Sequence, residues 1–280
     1  MRKLICGRGY LHACIGGTSK LYAAVFLAAT TACAAQQPGD NDGGEGPVAT
    51  VVADVRDYVT APLRARRPQW VRFGAALGAI AAAHRYDDDV REHFDTVTAA
   101  PGMSPDTRDA RDAAPAVLAL GGTWIAAIVA DNDDGRREAA AMFEAAALTG
   151  AAGYALKELA RRERPYTTAD DGAWGEDGDS FPSLHTATAF AIGTVLAESG
   201  NDRHRWLRRA LGYGLAVGTA YSRMDHDAHW LSDTVAGAGL GIATARFVKK
   251  QRGRDEGRAR FTVVPTAGGV AVGYQVDLRP

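Results

Sequence analysis

Beyond Cys33 the chain has no cysteine: Cys6, Cys14 and Cys33 are the only three in 280 residues. A disulfide framework, a zinc–thiolate cluster and a cysteine nucleophile are therefore excluded from the main domain. Charge of one sign is missing too. Thirty-two Lys and Arg stand against 33 Asp and Glu, a net charge of -1, which removes the basic footprint of a nucleic-acid binder. Long hydrophobic runs are scarce. A membrane span needs about 20 apolar residues, and the uncharged stretches Phe73–Ala83, Ala145–Leu156, Thr186–Ala197 and Thr234–Ala245 are shorter and bounded by charge. Ala113–Ala130 is longer, but Pro115, Gly121, Gly122 and Thr123 interrupt it, so it is read as a core helix with a single span as the alternative. All five are expected to be buried helices of a bundle.

What is present is globular. The chain is 46% hydrophobic and 23% charged, which argues against wholesale disorder and leaves room for one large domain or two small ones. Arg2, Lys3, Arg8 and Lys20 precede the apolar run Leu21–Ala29, and small residues follow through Ala35. That order predicts a secretory leader over 1–35 and an exported, periplasmic or cell-envelope protein. Two processing routes fit: cleavage around Ala32–Ala35, or cleavage before Cys33 with lipid on its thiol, giving a lipoprotein. Residues 36–48, rich in Gly, Asp and Pro, predict a flexible linker.

From 49 to 250 Ala-rich helical segments alternate with polar breaks, which predicts an all-α helical bundle. The period then changes. After a basic stretch, Phe261–Pro265 and Val270–Leu278 alternate apolar and polar residues around Thr266-Ala267-Gly268-Gly269, so 251–280 is expected to be a basic linker and a C-terminal β-hairpin.

Three constellations carry chemistry. Lys157 and Arg164 lie seven residues apart at the end of an apolar-periodic segment closed by Pro165; two helical turns would return them to one face, where both can meet one anion. Pro182, Ser183, Leu184 and His185 open the next helix, whose first backbone N–H groups and dipole favour an anion beside Ser183 and His185. Ser222-Arg223 is followed by His229 and Asp233. With a helix running from Ala228, His229 and Asp233 sit at i and i+4, where the carboxylate can take the ring N–H and leave the other nitrogen free to attack.

Together the pattern Lys157-x6-Arg164-Pro165, Pro182-Ser183-x-His185 and Ser222-Arg223-x5-His229-x3-Asp233 resembles the type 2 phosphatidic acid phosphatase and vanadium haloperoxidase superfamily, in order and at the family's internal spacings, over residues 110–245. The resemblance implies a helical bundle and a metal-independent phosphatase working through a phosphohistidine. It implies His229 as nucleophile, Asp233 as its orienting carboxylate and His185 as general acid. Lys157, Arg164 and Arg223, with Ser183 and the backbone at Leu184, would hold the phosphate. No metal or cofactor is implied. Leu184 stands where the family usually has Gly, which would tighten or re-angle the backbone approach.

The substrate so implied is a phosphate ester, lipid phosphate or small monoester, with no nucleic acid as partner and peripheral or lipid-anchored membrane contact. Two other functions fit the same residues. One is a vanadium-dependent haloperoxidase, in which His229 ligates vanadate. The other is an exported lipoprotein that binds phosphate without catalysis.

Several other groups are expected to be bystanders. His84 and Asp88, with Asp87, Asp89 and His93 nearby, are read as a solvated helix end rather than a metal site. Asp225, His226 and Asp227 are read as turn caps, Asp170, Asp171, Glu176, Asp177 and Asp179 as an exposed acidic loop, and Trp124 and Trp230 as core or site wall.

Overall fold

The computed structural model describes residues 56–97, 105–129, 132–200 and 204–254, with the backbone of 260–266 and 269–275. The expected leader, the linker and the Trp124 side chain lie outside the described residues.

The described domain is helical, as its Ala-rich periodicity predicts. Its long helices are α1 (Arg67–His84), α2 (Asp87–Val97), α3 (Pro105–Val129), α4 (Asp133–Ala160), α5 (Leu184–Glu198), α6 (Arg205–Asp225) and α7 (Leu231–Arg254).

The apolar run of α5 carries no charged side chain before Glu198, so it can be buried on every side. It lies at the centre, packed on α4, α6 and α7. Met142 of α4, Ala191, Ile192 and Val195 of α5, Ala216 of α6 and Val248 of α7 share one core cluster. Small residues set the spacing. On α7, a Cβ at Gly237 would lie 2.6 Å from the Ser183 carbonyl oxygen and one at Gly241 2.1 Å from that of Ala187, so the crossing with α5 requires glycine at both. This crossing also pins the start of α5 against α7.

The expectation that all five uncharged stretches are buried needs correction. In α1 only Ala83 is buried, while Trp70, Phe73 and Leu77 remain more than half exposed. In α3 Val117, Leu118, Ile125 and Val129 are likewise exposed. Both helices lie at the margin of the described bundle, so one face packs inward and the other has no neighbouring element among the described residues. An uncharged run reports the absence of charge; burial also needs an element on each side. Among the described residues α4 is the helix long and apolar enough to cross a membrane. Its Met142, Ala145 and Thr149 are fully buried in the bundle.

Candidate active site

Two loops meet at one end of the bundle: 161–183, joining α4 to α5, and 226–230, joining α6 to α7. The helical argument for Lys157 and Arg164 is corrected here. Helix α4 stops at Ala160, and Arg161 adopts the left-handed conformation (φ 45°), its N–H returning to the Lys157 carbonyl, a common C-terminal cap. Arg164 therefore lies in the loop. The chain, turning back past the end of α4, brings it beside Lys157, and the indole N–H of Trp230 fixes this stretch by donating to the Glu163 carbonyl at 2.9 Å.

A second correction concerns His229 and Asp233. Helix α7 begins at Leu231, so His229 precedes it and the pair does not share a helical face. Instead the Trp230 N–H donates to Asp233 Oδ2 at 3.0 Å, which caps the start of α7. His229 Nδ1 is 3.7 Å from Asp233 Oδ2, beyond hydrogen-bond reach. Ser180 stands between them. Its hydroxyl donates to Asp233 Oδ2 at 2.5 Å and lies 3.4 Å from His229 Nδ1. Because the hydroxyl proton is directed at the carboxylate, the serine oxygen faces the ring nitrogen as an acceptor.

Behind Asp233 lies a residue that motif reasoning missed. Arg162 is fully buried. One end of its guanidinium donates to Asp233 Oδ1 and Ser232 Oγ, both at 2.7 Å. The other donates to Asp87 Oδ2 and the Asp171 carbonyl, both at 2.8 Å. The indole rings of Trp174 and Trp230 lie 4.5 and 5.1 Å from its central carbon. Asp87, also fully buried, accepts in addition from the Ser232 N–H and hydroxyl at 2.8 and 2.6 Å. Two buried carboxylates thus share one planar cation whose fork can reach both. Motif reasoning gave Arg162 no role and read Asp87 as part of a solvated helix end, since Arg162 lies within a run of arginines and Asp87 within a run of aspartates.

The remaining predicted residues converge on the same place. Ser183 caps α5; its N–H donates to the Asp233 carbonyl at 3.1 Å and its hydroxyl to Thr186 Oγ1 at 3.0 Å. His185 is buried in the first turn of α5, and Arg223 is buried in the last turn of α6. The departure at Leu184 has a structural answer. A Cβ at Gly153 would fall 2.3 Å from Leu184 Cδ2, so the leucine side chain occupies the slot that a glycine leaves on α4, and Gly153 provides the room.

The electrostatics follow from burial. His229 is pushed well below its ordinary pKa, first by burial and then by the positive charges of Arg164, Arg223 and Lys157, so its ring is neutral at neutral pH. Burial, and then Arg164, bring the Lys157 ammonium down to about 7. Burial raises the Asp233 carboxyl, against the opposing pull of Arg162 and Ser180.

The acidic loop is more than a solvated face. Asp179 forms a two-pronged pair with Arg164, at 2.6 Å to Nε and 2.9 Å to Nη2, and Asp177 pairs with Arg161. The solvated-end expectation for the 84–93 region also fails in part, because His84 Nδ1 pairs with Asp87 at 2.8 Å rather than with Asp88. His84, Asp87 and Asp171 bring three potential metal ligands within 4.8 Å of one another. The Arg162 guanidinium already supplies positive charge there, at 2.8 Å from Asp87 and 3.4 Å from His84 Nδ1. Asp225, His226 and Asp227 do shape a turn: Asp227 is left-handed (φ 52°) and its carbonyl accepts the Tyr166 N–H at 3.2 Å. Trp230 is buried as site wall.

Residues 138–256 match the family model of the PAP2 superfamily, a range that contains every residue of the three motifs. Over that range the chain is similar to the PAP2 superfamily. Among solved structures, the crystal structure of Aquifex aeolicus LpxE is similar at 24% identity, with a TM-score of 0.39, over 57% of this chain and 93% of that one. No curated protein matches the chain.

Proposed function

We propose that this protein hydrolyses a phosphate ester in the cell envelope, without a metal, through a phosphohistidine at His229. The observation that carries the reading is His229 buried beside Arg164, Arg223 and Lys157, its pKa held low first by burial and then by those charges, with Ser180 and Asp233 on its Nδ1 side. Ser180 accepts the Nδ1 proton, so the lone pair is on Nε2. In the first step Nε2 attacks phosphorus, the P–O ester bond breaks, and His185 gives a proton to the departing alcohol. In the second, water attacks phosphorus with His185 taking its proton, the P–N bond to His229 Nε2 breaks, and inorganic phosphate leaves. Lys157, Arg164 and Arg223, with Ser183 and the N–H groups at the start of α5 from Leu184, neutralise the phosphate oxygens, the part that cations play in phosphoryl transfer. The reaction needs no cofactor.

A lipid phosphate is the favoured substrate class over a soluble monoester. Support comes from the exposed apolar side chains of α1, α3 and α6, among them Trp70, Phe73, Leu118, Ile125, Trp206 and Leu211, which suit a surface that works against a membrane. The same reading places the protein at the envelope through the 1–35 leader, with Cys33 as a lipid attachment point, the 36–48 linker as tether and 49–250 as the catalytic domain. It includes a C-terminal β-hairpin, supported by the antiparallel pairing of Arg260–Thr266 with Gly269–Gln275.

The test is phosphate release from a panel of lipid and soluble phosphates in EDTA, with His229→Ala and His185→Ala beside the parent. His229→Ala is expected to be inactive, and substantial residual turnover would refute the nucleophile. His185→Ala is expected to lose about 10²- to 10⁴-fold on an alkyl phosphate and less on a nitrophenyl phosphate; equal losses on both contradict the general acid.

A further inference from the structure

Two of the three cations assigned to the phosphate, Lys157 and Arg164, are both engaged by one residue that belongs to none of the three motifs. Asp179 takes the Arg164 fork with both carboxylate oxygens, at 2.6 and 2.9 Å. Its backbone carbonyl accepts from Lys157 Nζ. A carboxylate bridging Nε and Nη2 of an arginine presents the geometry that two oxygens of a phosphate would present to the same fork. We propose that Asp179 occupies the phosphate's place on Arg164 when the site is empty, so that it sets the affinity threshold a substrate must exceed. This rests on Arg164 being part of the phosphate clamp.

The backbone around Asp179 is fixed, so the exchange is a side-chain rotation. A Cβ at Gly178 would lie 2.1 Å from the Arg162 carbonyl oxygen, and the Ser180 N–H donates to that same oxygen at 2.8 Å. Ser180 in turn is buried and bonded to Asp233. Between these two anchors the Asp179 side chain is 54% exposed while that of Arg164 is 13% exposed. The carboxylate therefore covers the guanidinium from the solvent side and has water to turn into when an anion displaces it. An ion pair this exposed contributes on the order of 1 kcal/mol, which corresponds to about fivefold in the affinity of a competing anion.

The consequence is a lowered affinity for every anion that takes the Arg164 fork. The threshold is the same for each of them, so discrimination between a doubly charged phosphate monoester and a singly charged diester stays with the three cations. Asp179 thus sets how tightly the site fills, acting on binding and leaving the chemistry at His229 untouched.

The experiment is calorimetric titration of the full chain with inorganic phosphate at fixed pH and ionic strength, for the parent, Asp179→Asn, Asp179→Ser, Asp179→Glu and Arg164→Ala. Both Asp179→Asn and Asp179→Ser are expected to bind phosphate about fivefold more tightly, with Asp179→Glu close to the parent. Unchanged or weaker binding in both neutral variants, with binding still lost in Arg164→Ala, overturns the threshold and leaves the clamp standing; weaker binding would make Asp179 an orienting partner of Arg164. Phosphate binding that Arg164→Ala does not weaken overturns the clamp and the threshold together. Thermal unfolding of each variant, run alongside, reports folding, and because two neutral variants are used, one that misfolds still leaves a decisive reading from the other.

Discussion

Replacing Arg162 with Met tests the buried charge network most directly. The guanidinium is fully buried and holds Asp233 at 2.7 Å on one side and Asp87 at 2.8 Å on the other. Methionine fills a similar volume but leaves two carboxylates in the interior with hydroxyl and N–H donors alone. Removing one partner of a buried ion pair costs about 3–5 kcal/mol, a large share of the 5–15 kcal/mol that holds a typical domain together. At roughly 2–4 °C per kcal/mol for a domain of this size, the melting temperature should fall by about 6–20 °C. Arg162→Lys should fall between, because a single ammonium lacks the fork that reaches both carboxylates. Arg162→Met combined with Asp87→Asn should recover part of the loss, since one of the stranded charges is then gone. The assay is thermal unfolding followed by circular dichroism at pH 7. A melting temperature for Arg162→Met within about 2 °C of the parent would refute the network's structural role.

Three further outcomes are expected. Lys157 has its pKa brought down to about 7 by burial and Arg164, so the affinity of the free enzyme for phosphate, and with it kcat/KM, should decline as pH rises through about 7 and the ammonium is lost; Lys157→Arg should move that decline to higher pH, as a pH profile of kcat/KM would show. His229 lies well below its ordinary 6.5 in the fold, so the unfolded chain binds the extra proton and stability is lost as pH falls below 6.5, by up to about 1.4 kcal/mol per pH unit; urea midpoints between pH 6.5 and 4.5 should show a shallower loss in His229→Asn. Gly241→Ala places a Cβ 2.1 Å from the Ala187 carbonyl oxygen, whereas Gly239 has nothing within 4 Å. Gly241→Ala should cost about 1–3 kcal/mol or more and Gly239→Ala should be neutral or stabilising by up to about 1 kcal/mol, compared by thermal unfolding.

Motif spacing was enough to gather Lys157, Arg164, Ser183, Leu184, His185, Arg223, His229 and Asp233, all of which the fold brings to one end of the bundle or to its immediate wall. The local geometry inferred for them was less secure. Seven-residue and four-residue spacings were each read as helical faces, yet α4 ends at Ala160 and α7 begins at Leu231, so loops make both approaches. A spacing states how far apart two residues are along the chain, and a turn can satisfy it as well as a helix. The same limit explains α1 and α3, whose uncharged stretches were expected inside and whose outer faces are exposed.

By itself the sequence determined the helical class, through Ala-rich periodicity, and it named the cations and imidazoles that the fold gathers at one end of the bundle, because their number and kind are written in the motifs. Tertiary structure alone decided what stands beside those groups. Ser180 between His229 and Asp233, Arg162 between Asp233 and Asp87, and Asp179 on Arg164 join positions that are 49, 71, 75 and 15 residues apart. No periodicity relates residues at such separations. They meet because the packing of α4, α5 and α7 leaves two loops at one end, where a buried charge must find its counter-charge or remain unpaired at a cost of several kcal/mol.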